Sequence, residues 1–167
     1  MSDEPGLIRQ VYRSGAVTVV FRLVIGGLFI YMGLKKAIAP VDFLHLIREY
    51  KMFPDSVWWL LNFTVATLPW VEMLCGLLLV LGMRLRGTAL LIMTMLAVFT
   101  PMIFLRGQAI YAQQQIDWCK ISFDCGCGAG VVNFCAKLAE NTALFLGALC
   151  ILFSRKRRFY LHVQFVR

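Results

Sequence analysis

Residues 57–81 read VWWLLNFTVATLPWVEMLCGLLLVL, an apolar run that contains one charged residue, Glu72. A helix needs ~20 mainly apolar residues to cross the hydrocarbon core of a bilayer, and this run is long enough. Its apolar residues would cover all sides of a helix rather than one stripe, which is typical of helices in lipid. The run therefore predicts a membrane-spanning helix.

Three further segments have the same character, over residues 17–38, 87–105 and 137–153. The composition agrees with them, because 60% of the 167 residues are hydrophobic and only 16% are charged. Soluble domains carry about 25% charged residues. The sequence therefore predicts an all-α membrane protein, a four-transmembrane-helix bundle that forms a single domain over residues 1–167.

Lysine and arginine predict the orientation of the bundle, since they concentrate on the cytoplasmic side of membrane proteins. With four spans, the amino-terminal segment, the loop with Arg84 and Arg86, and the tail over residues 154–167 share one side. That side carries ten basic residues and the other carries seven. We expect the inner membrane of a bacterium, with both termini and the basic tail cytoplasmic. The outer loops, residues 41–56 and 106–135, are then periplasmic.

The first outer loop mixes apolar residues with charged ones. Phe43, Leu44, Ile47 and Tyr50 lie among Asp42, His45, Arg48, Glu49 and Lys51. That spacing suits a short amphipathic helix lying in the membrane interface.

Four of the six cysteines fall in the second outer loop: Cys119, Cys125, Cys127 and Cys135. The other two, Cys75 and Cys150, lie inside predicted helices, where a thiol usually serves as a small packing residue. A periplasm is oxidising, so structural disulfides are the first interpretation of the loop cysteines. Four cysteines allow three pairings, and the sequence does not choose among them.

Redox-active exchange is the second interpretation of the loop. A bridge between Cys125 and Cys127 would close a very tight ring, and strained bridges are more easily reduced. These two residues are therefore the catalytic candidates. A metal site is the third interpretation, but the spacing of the cysteines matches no common zinc or iron–sulfur motif, and no metal is predicted.

Charged residues inside the spans are rare and are usually paired or functional. At a rise of ~1.5 Å per residue, Arg22 lies about 7 Å and Glu72 about 13 Å from the cytoplasmic end. We therefore predict a buried Arg22–Glu72 ion pair that ties the first two spans together. Proton transfer, or a polar cavity around Glu72 open to a quinone head group, is a weaker alternative.

Glycines in the first two spans predict close helix contact. The positions are Gly26, Gly27, Gly33, Gly76 and Gly82.

These segments together resemble the DoxX/MauE family of small four-helix membrane proteins. The resemblance covers roughly residues 17–150 and rests on RLVIGGLFI at 22–30, GLKK at 33–36, LPWVE at 68–72, GLLL at 76–79 and CGC at 125–127. It implies a redox-associated membrane protein. MauE-like members are linked to disulfide formation in a periplasmic dehydrogenase subunit, and DoxD-like relatives to thiosulfate:quinone oxidoreduction.

This chain departs from the family pattern at the cysteines. The usual Cys-Gly-Cys-Phe-Gly motif is replaced by CGCGA at 125–129, and Cys119 and Cys135 are additional. These departures favour a structural, fully bridged loop.

Two functions compete on these grounds. The first is a non-catalytic accessory subunit of a larger membrane electron-transfer complex. It fits the absence of a histidine pair that could bind haem inside the spans, since His45 and His162 both lie outside them. The second is a membrane thiol–disulfide oxidoreductase that uses the outer cysteines and is linked to quinone. No cofactor is predicted, although the pattern leaves room for a quinone or a bound lipid.

The expected partners are other subunits of a membrane complex, and lipid. A net charge of +8 would favour nucleic acid in a soluble protein. Here the basic residues do not alternate with aromatics on any stretch that would stay in water, so no nucleic acid partner is expected.

Overall fold

Four long apolar helices and one short helix make up most of the computed structural model, in which residues 16–49, 58–126 and 130–154 are described. The long helices are long and apolar enough to cross a membrane, which makes the chain a multi-pass membrane protein. The helices are α1 (Ala16–Ile38), α2 (Pro40–Glu49), α3 (Trp58–Leu81), α4 (Leu85–Gln114) and α5 (Phe134–Phe153).

The predicted spans match α1, α3 and α5 closely, but α4 is longer than predicted. It runs nine residues past the predicted end at Leu105, so the predicted loop 106–135 begins too early. Its 30 residues measure ~45 Å, more than the ~30 Å hydrocarbon core. Hydropathy marks where a chain leaves lipid, whereas the helix ends later, at Gln115, whose left-handed backbone stops it.

Close contact between α1 and α3 forms the main helix pair of the bundle. A Cβ atom on Gly76 would lie 2.5 Å from the carbonyl oxygen of Gly26, and one on Gly33 would lie 2.6 Å from that of Pro69. The glycine prediction is therefore confirmed at Gly26, Gly33 and Gly76. It is wrong at Gly27, which has nothing nearby, and at Gly82, which lies in the turn after α3 with a φ of 76°.

The core lies between the four long helices. Ile25 of α1, Leu79 of α3, Ile92 of α4 and Ile151 of α5 are almost completely buried there. Large apolar side chains such as Trp70 cover the outer faces of the helices, as lipid requires.

A compact cap covers one end of the bundle, which we call the cysteine-loop side. It contains a 3₁₀ turn (Trp118–Lys120) and two antiparallel strands, β1 (Ser122–Asp124) and β2 (Val131–Asn133), with Phe123 opposite Val132. The sequence did not predict this hairpin. It rests on aromatic rings from α4, the 3₁₀ turn and α5: Phe104, Tyr111, Trp118 and Phe134.

The predicted amphipathic helix in loop 41–56 is found as α2, although residues 50–57 lie outside the described part of the chain. Its apolar face packs onto α3, because Phe43 and Ile47 are buried against Leu61. The short helix thus closes part of the cysteine-loop side.

Candidate functional site

A buried ion pair joins α1 and α3 below α2. Lys36 Nζ donates a hydrogen bond to Glu72 Oε1 at 2.5 Å, and both side chains are at most 7% exposed. The ammonium also lies 5.4 Å from the ring centre of Phe43 and 6.0 Å from that of Phe99. Lys36 is therefore held from three sides by α2, α3 and α4.

Arg22, the predicted partner of Glu72, has other partners in the structure. Its Nε donates to the carbonyl oxygen of Leu79 at 3.0 Å, and its Nη2 donates to that of Val80 at 3.3 Å. These carbonyls belong to the last turn of α3, where helices leave acceptors unpaired and carry partial negative charge. The predicted Arg22–Glu72 pair is wrong, and Arg22 instead binds the end of α3.

Depth along a helix does not show which way a side chain points. Lys36, near the other end of α1, points to the buried side of this helix. It continues the buried stripe of Arg22, Ile25, Phe29 and Met32, which recurs every three or four residues. That spacing is the signal that could have identified Lys36.

A third buried charge, Lys137, comes from the start of α5 and is 2% exposed. Its Nζ lies 3.0 Å from Glu140 Oε2, but the two groups are not oriented for a hydrogen bond. Its side chain lines the same cavity as those of Lys36 and Glu72. Lys137 begins the predicted span 137–153, and in the structure it shares a buried stripe with Phe134, Asn141 and other α5 residues.

Lys36, Glu72 and Lys137 line one cavity together with Asn141, whose side chain donates to Thr100 Oγ1 at 3.2 Å. The cavity has a volume of about 70 Å³. One water molecule needs roughly 10–15 Å³ on the same measure, so the cavity has room for several. The remaining walls are mostly apolar and come from α1, α2, α4 and α5. An apolar cavity with a few convergent polar groups is the usual form of a ligand site.

A second, wider cleft of about 200 Å³ lies on the cysteine-loop side of this cavity. The two share Lys36, Phe43, Leu46 and Gly126 as lining residues. The cleft also contacts Asp42 and Asp124, which belong to α2 and β1. The cleft therefore adjoins the cavity of the buried charges on the side of the cap.

The cysteines of the cap occupy two different environments. Cys119 and Cys135 form a disulfide that ties the 3₁₀ turn to the first turn of α5. Asn133 supports it from both directions, because its side chain donates to the carbonyl of Cys119 and accepts from the Ala136 amide. The prediction of a disulfide in this loop is confirmed, and it joins Cys119 to Cys135.

Cys125 is also disulfide-bonded, and it lines the cavity. The next residue, Gly126, has a φ of +67°, a left-handed conformation that favours glycine. Its amide donates to Asp124 Oδ1 at 3.0 Å, which fixes the turn. Cys127 lies outside the described residues, and Cys75 and Cys150 are free thiols.

No group of three or more potential metal ligands occurs within the described ranges. His45 is exposed on α2. The site therefore consists of a half-cystine, two ammonium groups, a carboxylate and an amide around an apolar cavity.

Comparison with known proteins gives one match. The model of the family described as methylamine utilisation protein MauE matches residues 14–154. This supports the MauE part of the resemblance drawn from the sequence. No curated protein and no solved structure matches the chain.

Proposed function

The chain belongs to the MauE family, and from this premise we propose that it is a membrane thiol–disulfide oxidoreductase whose exchanging sulfur is that of Cys125. Family membership makes it a redox-associated membrane protein. The choice between a catalytic protein and an accessory subunit depends on the site.

The observation that carries the proposal is the location of Cys125. This half-cystine lines the same cavity as the ammonium groups of Lys36 and Lys137. Positive charge near a cysteine favours its thiolate, the form that attacks a disulfide and departs from one. The cleft beside Gly126 gives a substrate thiol a route to this sulfur.

The partner sulfur in this proposal is that of Cys127. Cys119 is bonded to Cys135, and Cys75 and Cys150 are free thiols inside helices, which leaves Cys127 among the six cysteines of the chain. A two-residue separation also agrees with the sequence argument for an easily reduced bridge.

The exchange transfers two electrons and two protons. A thiolate of a reduced protein substrate attacks one sulfur of the Cys125–Cys127 bridge, which forms a mixed disulfide and releases the other sulfur. The second substrate thiol then attacks the mixed disulfide. The substrate leaves with a new S–S bond, and Cys125 and Cys127 become thiols.

The Cys119–Cys135 disulfide has a supporting role in this scheme. It joins the 3₁₀ turn to α5 beside the aromatic rings on which the hairpin rests. The cap that positions Cys125 is thereby attached to the bundle at a second point.

The proposal places the cysteine-loop side in the periplasm of a bacterium, since protein thiols are oxidised there. Both chain termini would then be cytoplasmic. This agrees with the larger number of basic residues on the side of Arg84 and Arg86.

The test is a dithiol oxidation assay with purified protein in lipid nanodiscs. We expect wild-type protein to form a disulfide in a reduced dithiol peptide, and Cys125→Ser to fall to the rate of protein-free nanodiscs. Cys150→Ser is the matched control, because it removes a free thiol away from the cap and leaves the rate unchanged. A folded Cys125→Ser variant with the full rate would contradict the proposal.

The alternative remains an accessory subunit of a membrane electron-transfer complex. The observation that favours it is the two-stranded sheet, on which Val131 is 73% exposed outside the bundle. Strand edges and exposed apolar side chains are common contact points for partners. Stable copurification with other redox subunits, together with an inactive cysteine pair, would support this alternative.

A further inference from the structure

We propose that the outer edge of β2 binds an extended segment of the protein substrate, which adds to the sheet as a third strand beside Val131. This inference rests on the proposed function, and it names the form in which the substrate is held, an extended chain that has not yet folded.

The hydrogen bonds of the hairpin show which backbone groups face outward. In an antiparallel pair of strands, opposite residues alternate between pairs that exchange backbone hydrogen bonds and pairs that do not. The Phe134 amide donates to the Ile121 carbonyl at 3.0 Å and continues the register of the strands, so these two residues form a pair of the first kind. Counting along the register, Asp124 and Val131 form a pair of the second kind. The amide and the carbonyl of Val131 therefore point away from β1, and neither has a hydrogen-bond partner among the described residues.

The edge of β2 is exposed and carries no charge. Val131 is 73% exposed. Proteins protect strand edges against added strands with charged residues and proline. β1 has such protection, because Lys120 lies just before it and Asp124 ends it, whereas β2 reads VVN and follows a glycine. The edge of β2 is therefore the one that accepts an added strand.

The position of this edge connects it to the proposed exchanging sulfur. Beyond the last pair of the register, the next residues of the two strands are Cys125 and Gly130. Gly130 lines the cleft that adjoins the cavity of Cys125, and no described atom lies within 4 Å of its Cβ position. A substrate cysteine next to the residue that pairs with Val131 would lie beside Gly130, about one strand spacing of 4.8 Å away. The edge thus directs a substrate thiol to the cleft.

The outward backbone groups select an extended polypeptide as the occupant. The N–H and C=O of one residue are matched by the C=O and N–H of one residue on an antiparallel strand, and extended peptides bind exposed sheet edges in this way. Few such bonds form here, because Asn133 already begins α5 as its N-cap. The substrate is therefore held weakly and through its backbone, which suits a catalyst that releases its product. Proteins that lack their native disulfides often do not fold, so extended segments are available in the reduced substrate.

A second copy of this chain is the competing occupant, since β2 of one copy could pair with β2 of another. Stable interfaces between proteins bury about 1,200 Å² or more. A strand of three residues is only ~10 Å long and supplies a small part of that area. We therefore commit to the substrate, and the experiment separates it from a second copy.

The experiment measures binding of a fluorescent peptide to oxidised protein in nanodiscs by fluorescence anisotropy. The probe alternates valine and threonine between terminal lysines and contains no cysteine, so that binding is measured apart from redox chemistry. We expect saturable binding, and its loss when every amide of the peptide is N-methylated. Val131→Pro should weaken binding about threefold to tenfold, because proline removes the outward amide and leaves the hydrogen bonds between β1 and β2 in place.

Two variants serve as controls. Ser122→Pro is matched to Val131→Pro, because it removes the outward amide of the other strand, β1, and it should leave binding unchanged. Val131→Thr keeps both the backbone groups and the branched side chain, and it should also retain binding. The comparison with the N-methylated peptide uses wild-type protein, so it remains decisive if Val131→Pro does not fold.

Three results would overturn the inference. Equal binding of the N-methylated peptide would show contact through side chains alone, and unchanged affinity in a folded Val131→Pro variant would remove the assigned strand. A protein that dimerises through Val131 and does not bind the probe would assign the edge to a second copy. Failure of the proposed function looks different. In that case the probe binds as expected, but a dithiol peptide is not oxidised.

Discussion

The two ends of the α1–α3 pair treat buried charge in opposite ways. At one end, Arg22 is bound by the Leu79 and Val80 carbonyls. At the cysteine-loop end, Lys36 and Glu72 pair with each other, and the second carboxylate oxygen of Glu72 has no hydrogen-bond partner among the described residues. The first arrangement fastens two helices together. The second leaves a buried carboxylate oxygen without a hydrogen bond from the described residues, at a cavity that Cys125 also lines. Stability alone does not explain that arrangement.

The largest expected effect comes from breaking the Lys36–Glu72 pair. Lys36→Met leaves the Glu72 carboxylate buried without its partner and should reduce the free energy of unfolding by about 3–5 kcal/mol. The double variant Lys36→Met/Glu72→Met removes both charges and should recover most of that loss. Thermal unfolding in detergent measures both effects.

This pair of variants separates a structural tie from a functional site. A double variant as unstable as the single one would contradict the electrostatic explanation. A stable double variant that no longer oxidises the dithiol peptide would show that the charges at this end serve the chemistry and not the fold.

A smaller effect is expected where α1 and α3 touch between the two ends. Gly76→Ala places a Cβ atom 2.5 Å from the backbone oxygen of Gly26, which cannot move independently, and should cost about 1–3 kcal/mol. Gly27→Ala is the matched control in α1, because nothing lies within 4 Å of its Cβ position. It should change the unfolding free energy by less than about 0.5 kcal/mol.

Neither glycine variant should change the residues that line the cavity, because Gly27 and Gly76 are not among them. If Gly76→Ala is as stable as wild type, the close contact of α1 and α3 is wrong. If Gly27→Ala is equally destabilising, the face that α1 presents to α3 has been misassigned.

The fold was largely predictable because hydropathy is a local property. Runs of apolar residues located α1, α3 and α5 to within a few positions. The end of α4 was not predictable in this way, because residues 106–114 include one arginine and three glutamines and are still helical. Hydropathy reports contact with lipid, not the continuation of backbone hydrogen bonds.

The site was less predictable because it depends on which sides of the helices face each other. Glu72 was identified, but its partner Lys36 was not. Neighbouring residues of a helix point about 100° apart, so depth along the helix does not show which residue faces the core. Lys137 and Asn141 are brought to the cavity by the packing of α5. The buried stripes on α1 and α5 were present in the sequence as a three- and four-residue repeat and could have identified both lysines.

The cysteine pairing needed the hairpin. The sequence allowed three pairings among four cysteines, and the antiparallel strands β1 and β2 bring Cys119 next to Cys135. The same hairpin directs Cys125 to the cavity. Cys125 and the Cys119–Cys135 bridge therefore lie in different surroundings, which the spacing of the cysteines alone did not reveal.

The most direct test of the central claim compares the two cysteine sites in one protein. Folded protein is exposed to increasing concentrations of a mild dithiol, free thiols are alkylated, and labelled peptides are quantified by mass spectrometry. Because Cys119 is exposed, accessibility alone would favour opening of the Cys119–Cys135 bridge first. We predict the opposite order, with Cys125 and Cys127 labelled while Cys119 and Cys135 stay bonded. Prior or simultaneous opening of the Cys119–Cys135 bridge, or a Cys125 that stays bonded until the protein unfolds, would contradict the assignment of Cys125 as the exchanging sulfur.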